Sequence, residues 1–252
     1  MTLRRALLAL AFAGAFFAGL LAFAPASLMG YALERATGGA LSLAQTQGNI
    51  WRGSGVALLQ QNSRYQTLGS YRWQLQILSA SVQVQTGDTT LMNARYVPFA
   101  ERIDVDNLHI SLPVSAIDIV APQLAPYQLQ GSLVASSDHL TLDGAGIHGQ
   151  VTVDWLHAAS ALSEIRPLGD YRILLQSNGR SLDAQLSTLS GKLKLDGRGG
   201  FDNVAGMRFN GTAQAAPGVA QAEVTELLHH IGPEVSPGIF ALDLIPQSST
   251  AR

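Results

Sequence analysis

"YRWQLQI", residues 71–77, decides the fold, because its side chains alternate without a break. Tyr71, Trp73, Leu75 and Ile77 fall on one side of an extended chain, and Arg72, Gln74 and Gln76 on the other. A period of two marks a strand with one dry and one wet face, whereas an amphipathic helix repeats every 3.6 residues. The same alternation recurs outward in both directions: "LHISL" at 108–112, "QVTVDW" at 150–155, "SLDAQLS" at 181–187, "GKLKLDG" at 191–197 and "MRFNG" at 207–211. The candidate apolar face is therefore Tyr71, Trp73, Leu75, Val151, Val153, Trp155, Tyr171 and Ile173. Sheets with a single dry face are antiparallel by default. Hairpin turns are expected at "TGDT" (86–89), "SNGR" (177–180) and "LDGRGG" (195–200).

Two segments leave this pattern. "VSAIDIVAPQLAP" (114–126) and "VTELLHHIGPEVSP" (224–237) each predict a short helix stopped by proline, and 156–165 predicts a third helical turn. Pro122 and Pro126 match Pro233 and Pro237 in spacing, and "LGSYRWQLQ" at 68–76 matches "LGDYRILLQ" at 168–176. The pairs keep their order, so the chain reads as two copies of one β-rich unit, over 31–140 and 141–246. Continuous strand and turn near residue 140 favours one sheet over two cores, and 247–252 reads as a disordered tail.

The N-terminus carries Arg4 and Arg5 and then an apolar run from Ala6 to Phe23 or beyond. "APA" at 24–26 fits a signal-peptide cleavage site. The run exceeds a typical signal core and approaches the ~20 residues that span a bilayer. Length favours an uncleaved signal-anchor over 1–30. Under either reading the arginines keep the N-terminus cytoplasmic and send the bulk of the chain outward.

Chemistry is harder to find. Net charge is −2, and the 16 basic residues, 14 of them Arg, form no stripe that would suit nucleic acid. No cysteine is present, which removes thiol nucleophiles and cysteine zinc sites. The six histidines make no HExxH or HxH, and "GSGV" at 53–56 is not GxSxG. Asp104 with Asp106, and Asp138 with Asp143, suit turns and wet strand faces better than acid–base work. No enzyme activity, cofactor or metal is expected.

"GNIWRGSG" at 48–55 remains, and it reads as the opening of the first strand. Gly48 and Gly53 permit turn or bulge backbone. Trp51 and Arg52 fit two roles: covering the open end of the apolar face, or presenting a partner-binding spot.

The N-terminal anchor, "GNIWRG", "YRWQL", "GQVTVDWLHA", "LGDYRILL" and "LSGKLKLDGRGGF", in that order, closely resemble the protein N family of the type II (general) secretion pathway. The resemblance covers nearly the whole chain up to Pro246. It implies an inner-membrane-anchored, single-pass, periplasmic accessory or scaffold component of the machine that exports folded proteins across the outer membrane. The implied partners are other secretion components: inner-membrane platform, pseudopilus or secretin. That family is distantly similar to the AsmA-like group, whose elongated β-sheet grooves are associated with lipid handling, so a lipid-binding or lipid-transfer groove is the alternative. The expected architecture is mainly β: a transmembrane helix, then an elongated, curved antiparallel sheet of two repeats with a few short helices. The helices decide between the two functions. Packed onto the apolar face they close it; at the ends they leave a trough open.

Overall fold

A computed structural model of the chain describes residues 16, 19–20, 22–61, 64–76, 81–117, 122–161, 163–202 and 206–242. The structure is mainly β, with fourteen strands in one sheet and antiparallel pairing in every recorded register. Strands follow one another in chain order, except that the last inserts before its predecessor. Contacts divide the chain into two compact units, 1–91 and 92–252.

In the first unit, helix α1 (Ser27–Ala36) leads into β1 (Leu41–Gly48), β2 (Arg52–Gln61), β3 (Arg64–Gln76) and β4 (Ser81–Thr86). α1 packs on β1, and Gly30 admits Leu43, whose Cβ lies 3.4 Å from where a Gly30 side chain would start. Over 71–76 Trp73 is buried, Tyr71, Gln74 and Leu75 are half-buried, and Arg72 and Gln76 are exposed. Ala57 and Leu59 of β2 complete the dry side.

In the second unit, β5 (Thr89–Val97, starting just before the boundary) is followed by β6 (Arg102–Pro113), β7 (Leu129–Asp143), β8 (Gly146–Ser160), β9 (Gly169–Asn178), β10 (Ser181–Gly191), β11 (Leu193–Asp202) and β12 (Gly206–Ala215). Helix α2 (Gln221–Ile231) and the short strands β13 (Glu234–Ser236) and β14 (Ile239–Ala241) finish it. The dry face runs across the strands as rungs: Leu112–Leu133–Trp155–Tyr171 and Ile110–Ala135–Val153–Ile173–Leu186. α2 lies on this face. Val224, Leu227 and Leu228 join Tyr171, Leu193, Leu195, Ala213 and Phe240 in one buried cluster. Each valine, leucine or phenylalanine among them, once fully buried, contributes about 1.5–3 kcal/mol.

Several expectations need correction. "LDGRGG" is not a turn but the middle of β11, with Gly197 opposite Gly211 and Gly199 opposite Phe209. The Phe209 ring occupies the space above both glycines, so side chains there would meet it. The turns at Gly87–Asp88 and Gly179–Arg180 form where expected. Residues 156–160 continue β8 rather than turning helical, because Ala159 and Ser160 pair with Gln130 and Leu129 of β7. The apolar spacing slips there because of a bulge: the register shifts between Trp155 and Ala158, and His157 has φ 52. Over 114–126 the described residues show 3₁₀ turns at Val114–Ala116 and Pro122–Tyr127, with Ile117 α-helical after the first of them, and 118–121 lie outside the described residues. Pro122 and Pro126 lack the N–H a longer helix would use.

Among the described residues, no helix is long and apolar enough to cross a membrane. Most of the expected spanning segment falls on residues outside that set, as do Ile77 and the tail. Residues 16, 19, 20 and 22 are helical.

Candidate functional site

The stretch 48–53 does not open the first strand. β1 precedes it, and 48–53 makes the corner between β1 and β2. Gly48 closes β1 with φ 89, and a side chain there would run into the Arg52 carbonyl. Asn49 then folds the chain back on itself. Its Oδ1 accepts from the N–H groups of Trp51 (3.0 Å) and Arg52 (2.8 Å), and its own N–H donates to the Arg52 carbonyl (2.9 Å). Asparagine suits this position because its short amide mimics a backbone turn.

The corner is locked to β3 from beneath. Trp73 Nε1 donates to the Ile50 carbonyl (3.2 Å), and Leu75 N–H donates to the Trp51 carbonyl (2.7 Å). The indole of Trp73 lies where a Gly53 side chain would be, and the Asn49 carbonyl would be 2.9 Å from that same Cβ. Glycine is needed at 53 for close approach, since its partner across the ladder is Trp73 itself. Trp51 is half-buried and Arg52 exposed, so the two neighbours have different surroundings.

The corner also holds the root of the N-terminal segment. Ile50 N–H donates to the Ala24 carbonyl (2.9 Å), Ala26 N–H donates to the Gly48 carbonyl (3.2 Å), and Pro25 bridges to Asn49. Ala24 and Ala26 are buried, Ala26 to 2% exposure, while Phe23 immediately before them is 85% exposed. Phe16 and Leu20 are also exposed. An apolar run thus enters the fold at the three residues that resemble a cleavage site. This role was not legible in the motif alone, because its partner lies 24 residues upstream.

The other candidate residues pack as a sheet face. Tyr171 is fully buried, and its hydroxyl donates to the Leu193 carbonyl (3.0 Å). Burial, and then the neighbouring Asp170 charge, push its ionisation well above the usual tyrosine range. Trp155 packs beside it at 5.6 Å between ring centroids and donates from Nε1 to the Gln130 carbonyl. Val151, Val153 and Ile173 are half-buried.

The carboxylates are engaged locally. Asp104 is buried against Arg102 Nε (3.1 Å), and Thr141 Oγ1 donates to it (3.3 Å). Asp106 meets His139 Nδ1 (2.7 Å) and, more distantly, Arg95 (3.9 Å). His139 Nε2 lies 3.2 Å from Thr141 Oγ1. The order Asp106–His139–Thr141 mimics a relay, yet Asp106 and His139 are a cross-strand pair of β6 and β7, and Thr141, two residues along β7, pairs with Asp104. Asp143 accepts from the Ala145 and Gly146 N–H groups in its own turn. His229 sits edge-on to Phe240 at 5.0 Å.

The comparisons bear on the whole of this β region. The family model described as type II secretion system (T2SS), protein N, matches residues 39–243. No characterised protein and no solved structure matches the chain. With a match from the end of α1 to just past β14, the chain belongs to the type II secretion system protein N family, an accessory family of that protein-transport machinery whose members work with its other components.

Proposed function

We propose that this chain is an inner-membrane-anchored, single-pass periplasmic scaffold of the type II secretion machinery, with no catalytic step of its own. The supporting observation is the burial of Ala24 and Ala26 in the β1–β2 corner. A chain cut after Ala26 gives up the bond from Ile50 to Ala24 and the bridge from Pro25 to Asn49. Retained, the apolar run stays joined to the sheet, and Arg4 and Arg5 hold its start in the cytoplasm. The sheet then stands in the periplasm, where strand edges and the half-buried Trp51 meet platform, pseudopilus or secretin components. A photo-crosslinking residue in place of Trp51 tests this in secreting cells. Covalent products with another secretion component support the scaffold, and products with lipid or with no protein at all contradict it.

A lipid-handling groove is the second reading, favoured by the half-buried Val151, Val153 and Ile173 beside the closed cluster. α2 argues for the scaffold, because it packs on β12 and β14 and adds Val224, Leu227 and Leu228 to the buried cluster on the dry face. Lipid extraction from the purified chain and its Val153→Glu variant separates the two. Stoichiometric phospholipid lost in a folded variant favours the groove.

A further inference from the structure

A cavity of about 250 Å³ lies beside the β1–β2 corner, lined by Arg52, Arg72, Gln74, Gln83 and Gln85 with the Gly53–Trp73 pair completing its wall. The register explains its chemistry. Arg52, Gln74 and Gln83 form one rung across β2, β3 and β4, and Ser54, Arg72 and Gln85 the next. The two arginines are therefore diagonal neighbours on one face, roughly 7–8 Å apart at the backbone. Among the described residues neither guanidinium has a carboxylate partner. Glu34 and Asp88 are the only acids in residues 24–91, against four arginines.

Two like charges held side by side without a counter-charge are relieved by an anion between them. Guanidinium forks match phosphate oxygens in pairs, and glutamine amides add neutral donors to the same site. The cavity is smaller than the roughly 300 Å³ at which drug-sized sites begin, and so suits a headgroup-sized anion. Its position identifies the source. Asn49, which caps the Arg52 N–H, is the residue bridged to Pro25 where the apolar run enters the fold.

From this geometry we infer that Arg52 and Arg72 clasp the phosphate of an anionic phospholipid headgroup at the periplasmic surface of the membrane. The inference rests on the anchor reading, and it concerns the wet face of the sheet, opposite the apolar side.

The full chain in neutral detergent, followed by native mass spectrometry, tests it with three probes: phosphatidylglycerol, phosphatidylcholine and inorganic phosphate. Phosphatidylglycerol is expected to bind best. Arg52→Gln with Arg72→Gln is expected to weaken it about tenfold, while Arg180→Gln, in the turn between β9 and β10, leaves it unchanged. The thermal midpoint of the double variant, unchanged, shows that folding is intact. Equal binding of the two lipids, or a double variant that keeps its phosphatidylglycerol, overturns the site. Inorganic phosphate binding as tightly as phosphatidylglycerol overturns the lipid assignment. Alkaline extraction of the chain from membranes is read separately, since release there defeats the anchor reading and not the anion site.

Discussion

At Gly53, a tryptophan ring fills the place of a side chain, and much of the corner depends on that one contact. Gly53→Ala sets a methyl against a buried indole and the Asn49 carbonyl, neither of which can swing aside. Overpacking of this kind costs about 1–3 kcal/mol. The expected outcome is a lower urea midpoint together with a shift in tryptophan emission as Trp73 leaves the Ile50 carbonyl. A variant with the parent's midpoint and spectrum would mean that the corner has slack. Sequence reasoning saw that glycine mattered at 48 and 53, and that Trp51 and Arg52 belonged to one feature. It did not see Trp73 as the partner of Gly53, because cross-strand register is a long-range property that a local motif does not carry. Asp154 gives a second test. Arg172 donates to it twice, from Nε at 2.7 Å and Nη2 at 2.8 Å, and holds its carboxyl below the usual range. A carboxyl lowered on folding stabilises the fold above its unfolded value near 3.9, and that contribution is lost as pH falls through the lower folded value. Asp154→Asn is therefore expected to cost about 0.5–1 kcal/mol at neutral pH, in keeping with an exposed arginine partner. In urea titrations the gap from the parent should close below pH 4. A gap that widens in acid would contradict the assignment.

Elements were legible wherever alternation was strict, as in β3, β6, β8 and β10, because a period of two needs only the local chain. They were illegible where partners decide. "LDGRGG" carries the chemistry of a turn, yet it lies in β11 because β10 and β12 pair on both sides and Phe209 covers the missing side chains. β8 runs to Ser160 for the same reason, held by β7. α2 followed from the proline after it and from its apolar spacing, and it packs on the sheet at β12 and β14. Leu228, fully buried in the cluster, is the most direct probe of that closure. Leu228→Ala should cost about 2–5 kcal/mol in urea unfolding and raise binding of a hydrophobic dye to the folded chain. Full-length stability with no added dye binding would mean that the helix rests on the sheet without sealing it.

Across the whole chain, the two "LG-x-YR" strands, β3 and β9, are each followed by three further strands and then by the helix–proline segment. Charge divides unequally as well: residues 1–91 carry six arginines against two acids, and 92–252 ten basic residues against sixteen acidic ones. Past the apolar N-terminal run, residues 24–91 carry four arginines against two acids. The central claim is that this run is retained and rooted in the sheet by Ala24–Ala26. The measurement that tests it most directly is the intact mass of the chain extracted from the inner membrane. A mass of 26.7 kDa, with Arg4 and Arg5 still present, is the predicted result. A chain that begins at Ser27 would contradict it.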